Sequence, residues 1–319
     1  MGRGCLRLPE ARGILRLAYK ILREAGVARY QASMLAGGEY FVVKEYSVTL
    51  DSLILQPLGY PDVGRYRGPL LFAPRPWRRY CKWHSGPLDR RDLPWRRIYC
   101  TEAVQGEHEY CRQHRRSERF LYDLCMGLKG ERALEACREL DRRVKAEYTV
   151  YLLVQYGGHL KVGSTRSWRI LERVAEQPHS AATTLATFDS ALSARRAEMA
   201  VSREGIASEH RPRSGRHRRL PPPGAAAATL SDAAQRASKL LGVEWGGEIF
   251  RVIPPEPPSR PVRAEGLDLG GAPFRVKGYW GGMLLIERVP DGAVLWVDER
   301  SILHTDAVLY REDELSLGE

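Results

Sequence analysis

The sequence predicts an α+β protein of three parts: an N-terminal helix and small sheet with a zinc knuckle, a central β-β-α-β-α domain, and a small C-terminal β module. Three observations lead to this prediction. A helical apolar repeat is followed by a β-branched stretch, and a segment rich in Cys, His, Trp and Arg comes next. Two apolar runs joined by Gly-Gly then open the central part.

The N-terminal part covers residues 1–73. Residues 9–25 repeat apolar side chains at helical spacing and stop at Gly26, which predicts a helix. Residues 39–57 are rich in β-branched and aromatic residues, which predicts the strands of a small sheet.

The next two segments differ in composition from what precedes them. Residues 74–119 contain Pro, Trp, Arg, Cys and His but almost no aliphatic run, so they cannot build an ordinary core. Such a segment needs a cross-link in place of an apolar core. Residues 120–147 return to a helical pattern, which predicts a helical connector to the central domain.

The central domain, residues 148–209, is predicted as strand, strand, helix, strand, helix. Its first strand alternates and is β-branched, Gly157 and Gly158 turn the chain, and Ser190 is a suitable N-cap for the last helix. The predicted elements cover residues 148–154, 159–163, 166–177, 183–188 and 190–204.

The remainder of the chain contains a connecting segment and a second β-rich part. Residues 210–263 hold a basic, Pro-rich loop, a helical stretch at 231–241 and the stiff sequence PPEPPSRP. Residues 264–319 are punctuated by Gly and carry apolar runs such as MLLIERV and AVLWVDE. This pattern predicts a small β module.

The composition indicates a polyanionic partner. The net charge is +11, and 42 Arg stand against only 8 Lys. Guanidinium groups pair bidentately with phosphate, which favours nucleic acid, although GC-rich coding or a hot habitat would also enrich Arg. The absence of Asn is typical of thermophiles, whereas scarce Lys is not.

A membrane partner is not expected, because no apolar run approaches the roughly 20 residues of a span. The start, MGRGCLRLPEAR, lacks a signal-peptide core, so the cytoplasm is expected.

Four candidate metal ligands fall inside the segment that has no core of its own: Cys81, Cys100, Cys111 and His114. The last two form a C-x-x-H half-site, and tetrahedral zinc needs two such close ligands with two more from a distant turn. We therefore expect structural zinc, with His84 and His108 as reserve ligands. Buried reduced thiols or a disulfide are the alternatives. Cys125 and Cys137 lie on a helical segment, where we expect small core residues and hold a second cross-link as the alternative.

The central domain carries four notable features: TVYLL at 149–153, KVGST at 161–165, an Arg on the next helix and a Glu on the helix after the third strand. Together these features resemble the GIY-YIG nuclease superfamily. In that superfamily the two motifs lie on paired strands, a helical Arg contacts the scissile phosphate, and a Glu holds a divalent metal. The resemblance implies a GIY-YIG-like domain that binds Mg²⁺ or Mn²⁺ at Glu198, with the catalytic candidates Tyr151, Lys161, Arg173 and Glu198.

A narrower likeness covers most of the chain. Cys81 and Cys100 ahead of C-x-x-H, then KVGSTR, the R-x-x-x-Q pair of Arg173 and Gln177, and the tail FRVKGYWGGMLLI follow one another in this order. The order resembles a prokaryotic family known as domain of unknown function 2797. The resemblance implies an architecture and no activity.

The candidate residues suit phosphodiester chemistry without any family. A strand Tyr can orient or deprotonate a water, an Arg can bind the phosphate, and a Glu with Mg²⁺ can stabilise the leaving group. However, Lys161 replaces the second-motif Tyr, and the chain lacks the late Asn of many such nucleases. A binding-only domain is therefore the alternative. Taken alone, Glu198 would pair with Arg195, and Tyr151 would be a core residue.

Two groups of arginines are candidates for binding nucleic acid. Arg166, Arg169 and Arg173 recur at spacings of three and four, so one helix face could follow a phosphate backbone. Five more lie in the basic loop, which either orders on a polyanion or is a solubilising linker: Arg211, Arg213, Arg216, Arg218 and Arg219. In the tail, Tyr279 and Trp280 could stack on bases, although core packing is the commoner outcome for Trp280.

The sequence therefore predicts a zinc-stapled nucleic-acid-binding protein with a GIY-YIG-like domain. Divalent-metal-dependent phosphodiester cleavage is a further expectation. A non-catalytic DNA- or RNA-binding factor and a protein-interaction scaffold are the alternatives.

Overall fold

The structure is a computed structural model of the 319-residue chain. It describes residues 11–32, 39–58, 60, 62–66, 70–106, 108–209, 219–255, 262–264, 269 and 272–311. Among these residues, no helix combines the length and the apolar character needed to cross a membrane.

The described residues form fourteen strands and six α-helices, as the predicted α+β class requires. The strands are β1 Ala11–Gln31, β2 Tyr40–Pro57, β3 Gly64–Tyr66, β4 Leu70–Tyr80, β5 Ala103–Val104, β6 Tyr148–Val154, β7 Leu160–Arg166, β8 Ala181–Phe188, β9 Ile249–Ile253, β10 Val262–Ala264, β11 Phe274–Trp280, β12 Met283–Arg288, β13 Val294–Asp298 and β14 Thr305–Arg311. The helices are α1 Glu118–Gly127, α2 Gly130–Arg143, α3 Ile170–Ala175, α4 Ala191–Arg203, α5 Pro223–Leu241 and α6 Glu299–Ile302.

One mostly antiparallel sheet runs through the whole described chain. Its strand order is β10-β13-β12-β11-β4-β14-β1-β2-β9-β8-β6-β7, with β3 paired to β2 and β5 to β4. The strands expected as a separate C-terminal module thus lie beside N-terminal strands, because β14 pairs with both β1 and β4. The domain boundaries drawn from the sequence stay a prediction.

The helix predicted for residues 9–25 is wrong, because the chain from Ala11 onward forms β1. This strand pairs with β2, and the pairing shifts register between Leu15 and Leu17, between Tyr19 and Lys20, and near Gly26. A bulge inserts one residue, so the side chains after it change face. Three such shifts break the two-residue alternation of a strand and leave apolar spacings that imitate a helix.

The central part has the predicted order of strand, strand, helix, strand, helix in β6, β7, α3, β8 and α4. Gly157 and Gly158 turn the chain with φ angles of 67° and 77°, which glycine adopts without strain. Ser190 caps α4 as predicted, since its side chain accepts a hydrogen bond from the Ser193 amide. The helical connector is also observed, as the two helices α1 and α2.

Strand β6 contributes side chains to two separate cores. Val150 and Leu152 pack with α4 and α5 side chains in one cluster. Tyr151 and Leu153 belong to a second cluster, which includes Val174 and strands of the N- and C-terminal parts. Successive residues of a strand point to opposite faces, so α3 and α4 cover opposite faces of the sheet at β6.

A disulfide joins α1 to α2, between Cys125 and Cys137. Both residues are fully buried in the cluster that also holds Leu140. The sequence predicted small core residues at these positions, with a cross-link as the alternative. Cys125 and Cys137 are both.

Candidate functional site

The cysteine knuckle, residues 74–119, is held together by backbone hydrogen bonds between short extended segments. The Cys81 amide donates to the Glu102 carbonyl over 2.8 Å, and the Cys100 amide donates to the Trp83 carbonyl over 3.1 Å. The Cys111 carbonyl in turn accepts a bond of 3.0 Å from the His114 amide. This C-x-x-H turn brings its two side chains to the cysteines of the other segments.

The four predicted ligands form one cluster, in which all the ligand atoms lie within 4.8 Å of one another. The Nδ1 atom of His114 lies 3.2 Å from the Cys111 sulfur and 3.7 Å from the Cys81 sulfur. The sulfur atoms of Cys100 and Cys111 are 3.9 Å apart, too far for a disulfide. Such a Cys₃His group could hold a metal ion. The reserve ligands His84 and His108 lie outside the cluster.

The surroundings hold the cluster in place. Trp83 stacks on the His114 ring, with the ring centroids 4.2 Å apart. Arg16, which is 1% exposed, donates hydrogen bonds to the carbonyls of Cys81 and Cys100 and so ties the knuckle to β1. Burial raises the pKa of the Cys100 thiol to about 12, so the uncomplexed thiol stays protonated at neutral pH.

Side-chain packing explains why the hairpin motif contains a glycine at position 163. Gly163 lies opposite Tyr151 in the β6–β7 pair, and the Tyr151 ring covers the space a side chain would occupy. The Tyr151 hydroxyl accepts a 2.7 Å hydrogen bond from the Gln177 amide nitrogen. Burial raises the pKa of Tyr151, although the nearby Arg173 charge acts in the other direction. The hydroxyl therefore stays protonated at neutral pH and is not available to deprotonate a water.

The arginines on and before α3 are largely paired with acids. Arg169 and Arg173 both bind the Glu176 carboxylate, Arg173 over 2.9 Å, and Arg169 also lies 3.7 Å from Glu172. Burial alone would raise the pKa of Glu176, but the two guanidinium charges lower it to about 2. These two arginines therefore do not form an unpaired basic row with Arg166, which is itself buried.

Glu198 has a different set of partners. Its carboxylate binds Arg195 over 2.7 Å and accepts a 2.5 Å hydrogen bond from the Ser164 hydroxyl. The pairing with Arg195 is the one expected of Glu198 taken alone, and the pair is buried rather than exposed. Lys161 is also an anchoring residue, since its ammonium donates to the carbonyls of Val162 and Glu209.

The sheet separates the catalytic candidates. Ser164 pairs with Val150 and therefore shares the α4 face, where it binds Glu198. Gly163 pairs with Tyr151 on the other face, which also carries α3. Tyr151 and Arg173 are thus brought close together, whereas Glu198 makes its described contacts across the sheet from them.

Near the end of the hairpin, the structure places the predicted residue Arg166 beside Tyr122 and Arg119, which sequence reasoning missed. Arg166 is 5% exposed and lies over the rings of Tyr122 and Trp168, at 4.4 and 4.8 Å from their centroids. Burial would raise the pKa of Tyr122, but the charges of Arg166 and the α3 arginines outweigh burial and lower it. Arg119 donates to the carbonyls of His84 and Gly86. No local pattern marks these side chains, because they come from separate segments.

Most of the basic loop lies outside the described residues, including Arg211, Arg213, Arg216 and Arg218. Arg219 is described and exposed, and its carbonyl accepts a hydrogen bond from Gly157. In the tail, Tyr279 and Trp280 are buried in the core, as expected for Trp280.

Compared with known protein families, curated proteins and solved structures, the chain matches none of them. The resemblances to GIY-YIG nucleases and to domain of unknown function 2797 stay predictions.

Proposed function

We propose that the protein binds nucleic acid through the arginines of the cysteine knuckle and the adjoining hairpin, and that zinc holds the knuckle. One observation carries the nucleic-acid proposal. Arg96, Arg112 and Arg116 are exposed on the knuckle, and none of them has a carboxylate partner among the described residues. The knuckle as a whole carries twelve Lys and Arg against six Asp and Glu. Unpaired guanidinium groups on a rigid surface suit phosphate contacts.

Zinc fits the geometry of the Cys₃His group. Two sulfur atoms each about 2.3 Å from one tetrahedral zinc ion are about 3.8 Å apart. The sulfur atoms of Cys100 and Cys111 are separated by 3.9 Å, which agrees. Four protein ligands leave no open position, so the ion would act in folding rather than in catalysis.

The contacts of the hairpin domain support binding more than cleavage. A metal-dependent nuclease needs its carboxylate-bound ion beside the phosphate that Tyr151 and Arg173 would contact. Glu198 is instead engaged by Arg195 and Ser164 on the other sheet face. We therefore infer a GIY-YIG-like unit that recognises nucleic acid without cutting it.

The test is a binding and cleavage assay on the metal-loaded full chain. Single- and double-stranded DNA and RNA are titrated over a salt series without added Mg²⁺, using the wild type and the Arg112→Ala/Arg116→Ala double variant. We expect salt-sensitive binding, and on duplex DNA a log–log slope that is shallower by about 2 in the variant, since each lost phosphate contact removes about 0.9. Arg236→Ala, on the exposed face of α5, is the matched control.

Mg²⁺ or Mn²⁺ is then added to wild type and Glu198→Ala. Cleavage that the variant loses would identify a nuclease and refute the binding-only proposal. Absence of binding to every nucleic acid would refute the proposed function and leave the interaction scaffold.

A further inference from the structure

A cavity of about 260 Å³ lies where four parts of the chain meet. Strand β1, the cysteine knuckle, helix α1 and the segment that follows β7 contribute to its wall. Eight Lys and Arg side chains line it, against four Asp and Glu. The cavity is therefore strongly basic, and its charges come from segments far apart in sequence.

Every acid on the wall already has a cation. Asp92 binds Arg97, Asp123 binds Lys82 over 2.7 Å, and Glu172 binds Arg91 over 2.6 Å. Glu176 is shared by two arginines of the α3 region. These acids are thus not available to neutralise the remaining guanidinium groups.

Three arginines on the wall have no carboxylate partner within the part of the chain that the structure describes: Arg16, Arg119 and Arg166. The Nε, Nη1 and Nη2 atoms of Arg16 all donate hydrogen bonds, to Gln56 and to two backbone carbonyls. Arg119 uses Nε and Nη2 for two carbonyls. Arg166 makes a single described hydrogen bond, 3.4 Å long, to the Leu88 carbonyl. Its Nε atom is buried and has no hydrogen-bond partner among the described residues.

An uncompensated buried guanidinium is costly, and a buried donor left without an acceptor adds to the cost. Burial, followed by the charges of Arg166 and Arg97, lowers the pKa of Arg119 to about 9. An anion in the cavity would remove both penalties, because its oxygens would accept from the free donors and its charge would offset the two guanidinium groups. A phosphate monoester carries up to two charges and matches the planar fork of Arg.

We propose that this cavity binds a phosphate monoester, held by Arg119 and Arg166, at the end of a nucleic-acid strand. The inference rests on the proposed function for the identity of the strand. An internal phosphate is joined to a nucleotide on each side, so the strand would have to pass into and out of the cavity. A terminal monoester is joined to the strand on one side only. The volume lies below the roughly 300–1,000 Å³ of ordinary small-molecule sites, which fits the end group of a longer ligand. The half-buried Trp168 ring lies beside Arg166, where the adjoining nucleotide would emerge.

The experiment compares oligonucleotides of one sequence, labelled at one end and carrying either phosphate or hydroxyl at the other, on the metal-loaded full chain. Both 5′- and 3′-phosphorylated strands are used. We expect one phosphorylated strand to bind about tenfold tighter or more than its hydroxyl counterpart, as charge-assisted hydrogen bonds would give. Arg166→Met should abolish this preference, so that the variant binds the phosphorylated and hydroxyl strands equally, whereas the control Arg236→Met should keep the preference.

Arg166 is buried, so a folding defect has to be separated from a binding defect. Arg166→Lys keeps the positive charge and loses the guanidinium fork, and it should reduce the preference while its circular dichroism and melting remain as in the wild type. A nucleoside monophosphate should compete with the phosphorylated strand, and the unphosphorylated nucleoside should not.

Equal affinity for phosphorylated and hydroxyl strands would overturn the cavity proposal while the proposed function stands. If no strand binds, but a nucleoside monophosphate or inorganic phosphate raises the melting temperature of the wild type and not of Arg166→Lys, the proposed function fails. The cavity would then be a site for a free phosphate monoester, such as a nucleotide, rather than for the end of a strand. If neither strands nor phosphates bind, both proposals fail.

Discussion

Replacing Gly163 by Ala tests why the hairpin motif contains glycine. An added Cβ would lie 2.5 Å from the Tyr151 hydroxyl oxygen and 2.6 Å from Cζ, closer than real Cβ contacts. The φ angle of Gly163 is not in the left-handed region, so the constraint is space rather than backbone conformation. The Tyr151 ring has to move, and it is 1% exposed with packed neighbours.

The cost follows from two effects. Forcing extra volume into a packed core costs about 1–3 kcal/mol. Moving the ring also breaks the buried hydrogen bond from Gln177 to the Tyr151 hydroxyl, and a donor left unpaired costs about 1–3 kcal/mol. Because one movement causes both effects, they overlap in part. We expect the free energy of unfolding to fall by about 2–4 kcal/mol.

Urea unfolding of wild type, Gly163→Ala and Gly246→Ala measures this cost. Gly246 has nothing within 4 Å of its ideal Cβ position and no positive φ, so its substitution should leave the midpoint nearly unchanged. In a Tyr151→Ala background, Gly163→Ala should cost much less, since the ring that it displaces is gone. An unchanged midpoint for Gly163→Ala, or a full cost that persists without Tyr151, would refute the packing explanation.

Three further predictions concern the metal, a buried histidine and an arginine. We expect about one zinc per chain by elemental analysis, and Cys111→Ser should lower both the zinc content and the melting temperature. His179 accepts from the Val252 amide at Nε2, and burial lowers its pKa to about 4. Unfolding exposes a group that protonates near 6.5, so stability should fall as pH drops from 6.5 to about 4, and His179→Gln should flatten this limb of a pH series of melts. Arg16→Lys should speed zinc loss to a chelator, because one ammonium nitrogen replaces the three guanidinium nitrogens that bind Gln56 and the two cysteine carbonyls; an unchanged rate would count against that role.

Local signals in the sequence predicted most of the central and helical elements. Gly157 and Gly158 mark the turn, and Ser190 marks the start of α4, because each of these features depends on residues close in sequence. The pairing of β14 with β1 joins residues nearly 300 positions apart, and no local pattern encodes it. The bulges of β1 lie in its pairing with β2, and they break the alternation by which a strand is recognised, which is why the strand was predicted as a helix.

The Cys₃His cluster was predictable because cysteine and histidine are few and their spacing follows metal-ligand patterns. The basic cavity was not predictable, since arginine is the commonest charged residue of this chain and a single Arg has no characteristic neighbours. Arg119 and Arg166 become a pair only when α1 and the end of β7 meet. Glu198 shows a second limit of prediction from sequence. Its position on a helix suggested a ligand, and only the strand register reveals which sheet face it occupies.

The arginines around the cysteine knuckle have two separable roles. The cysteine knuckle has little apolar core, and guanidinium groups bind its backbone carbonyls instead: Arg16 those of Cys81 and Cys100, Arg119 those of His84 and Gly86. A purely structural arginine would have its donors occupied, and Arg16 meets this condition. Arg166 does not, because within the described part of the chain its Nε is buried without a partner and its single hydrogen bond is long. Lysine at position 16 should therefore weaken metal retention without changing the preference for phosphate. Lysine at position 166 should weaken the preference and leave the metal in place, because the two residues serve different parts of the same fold.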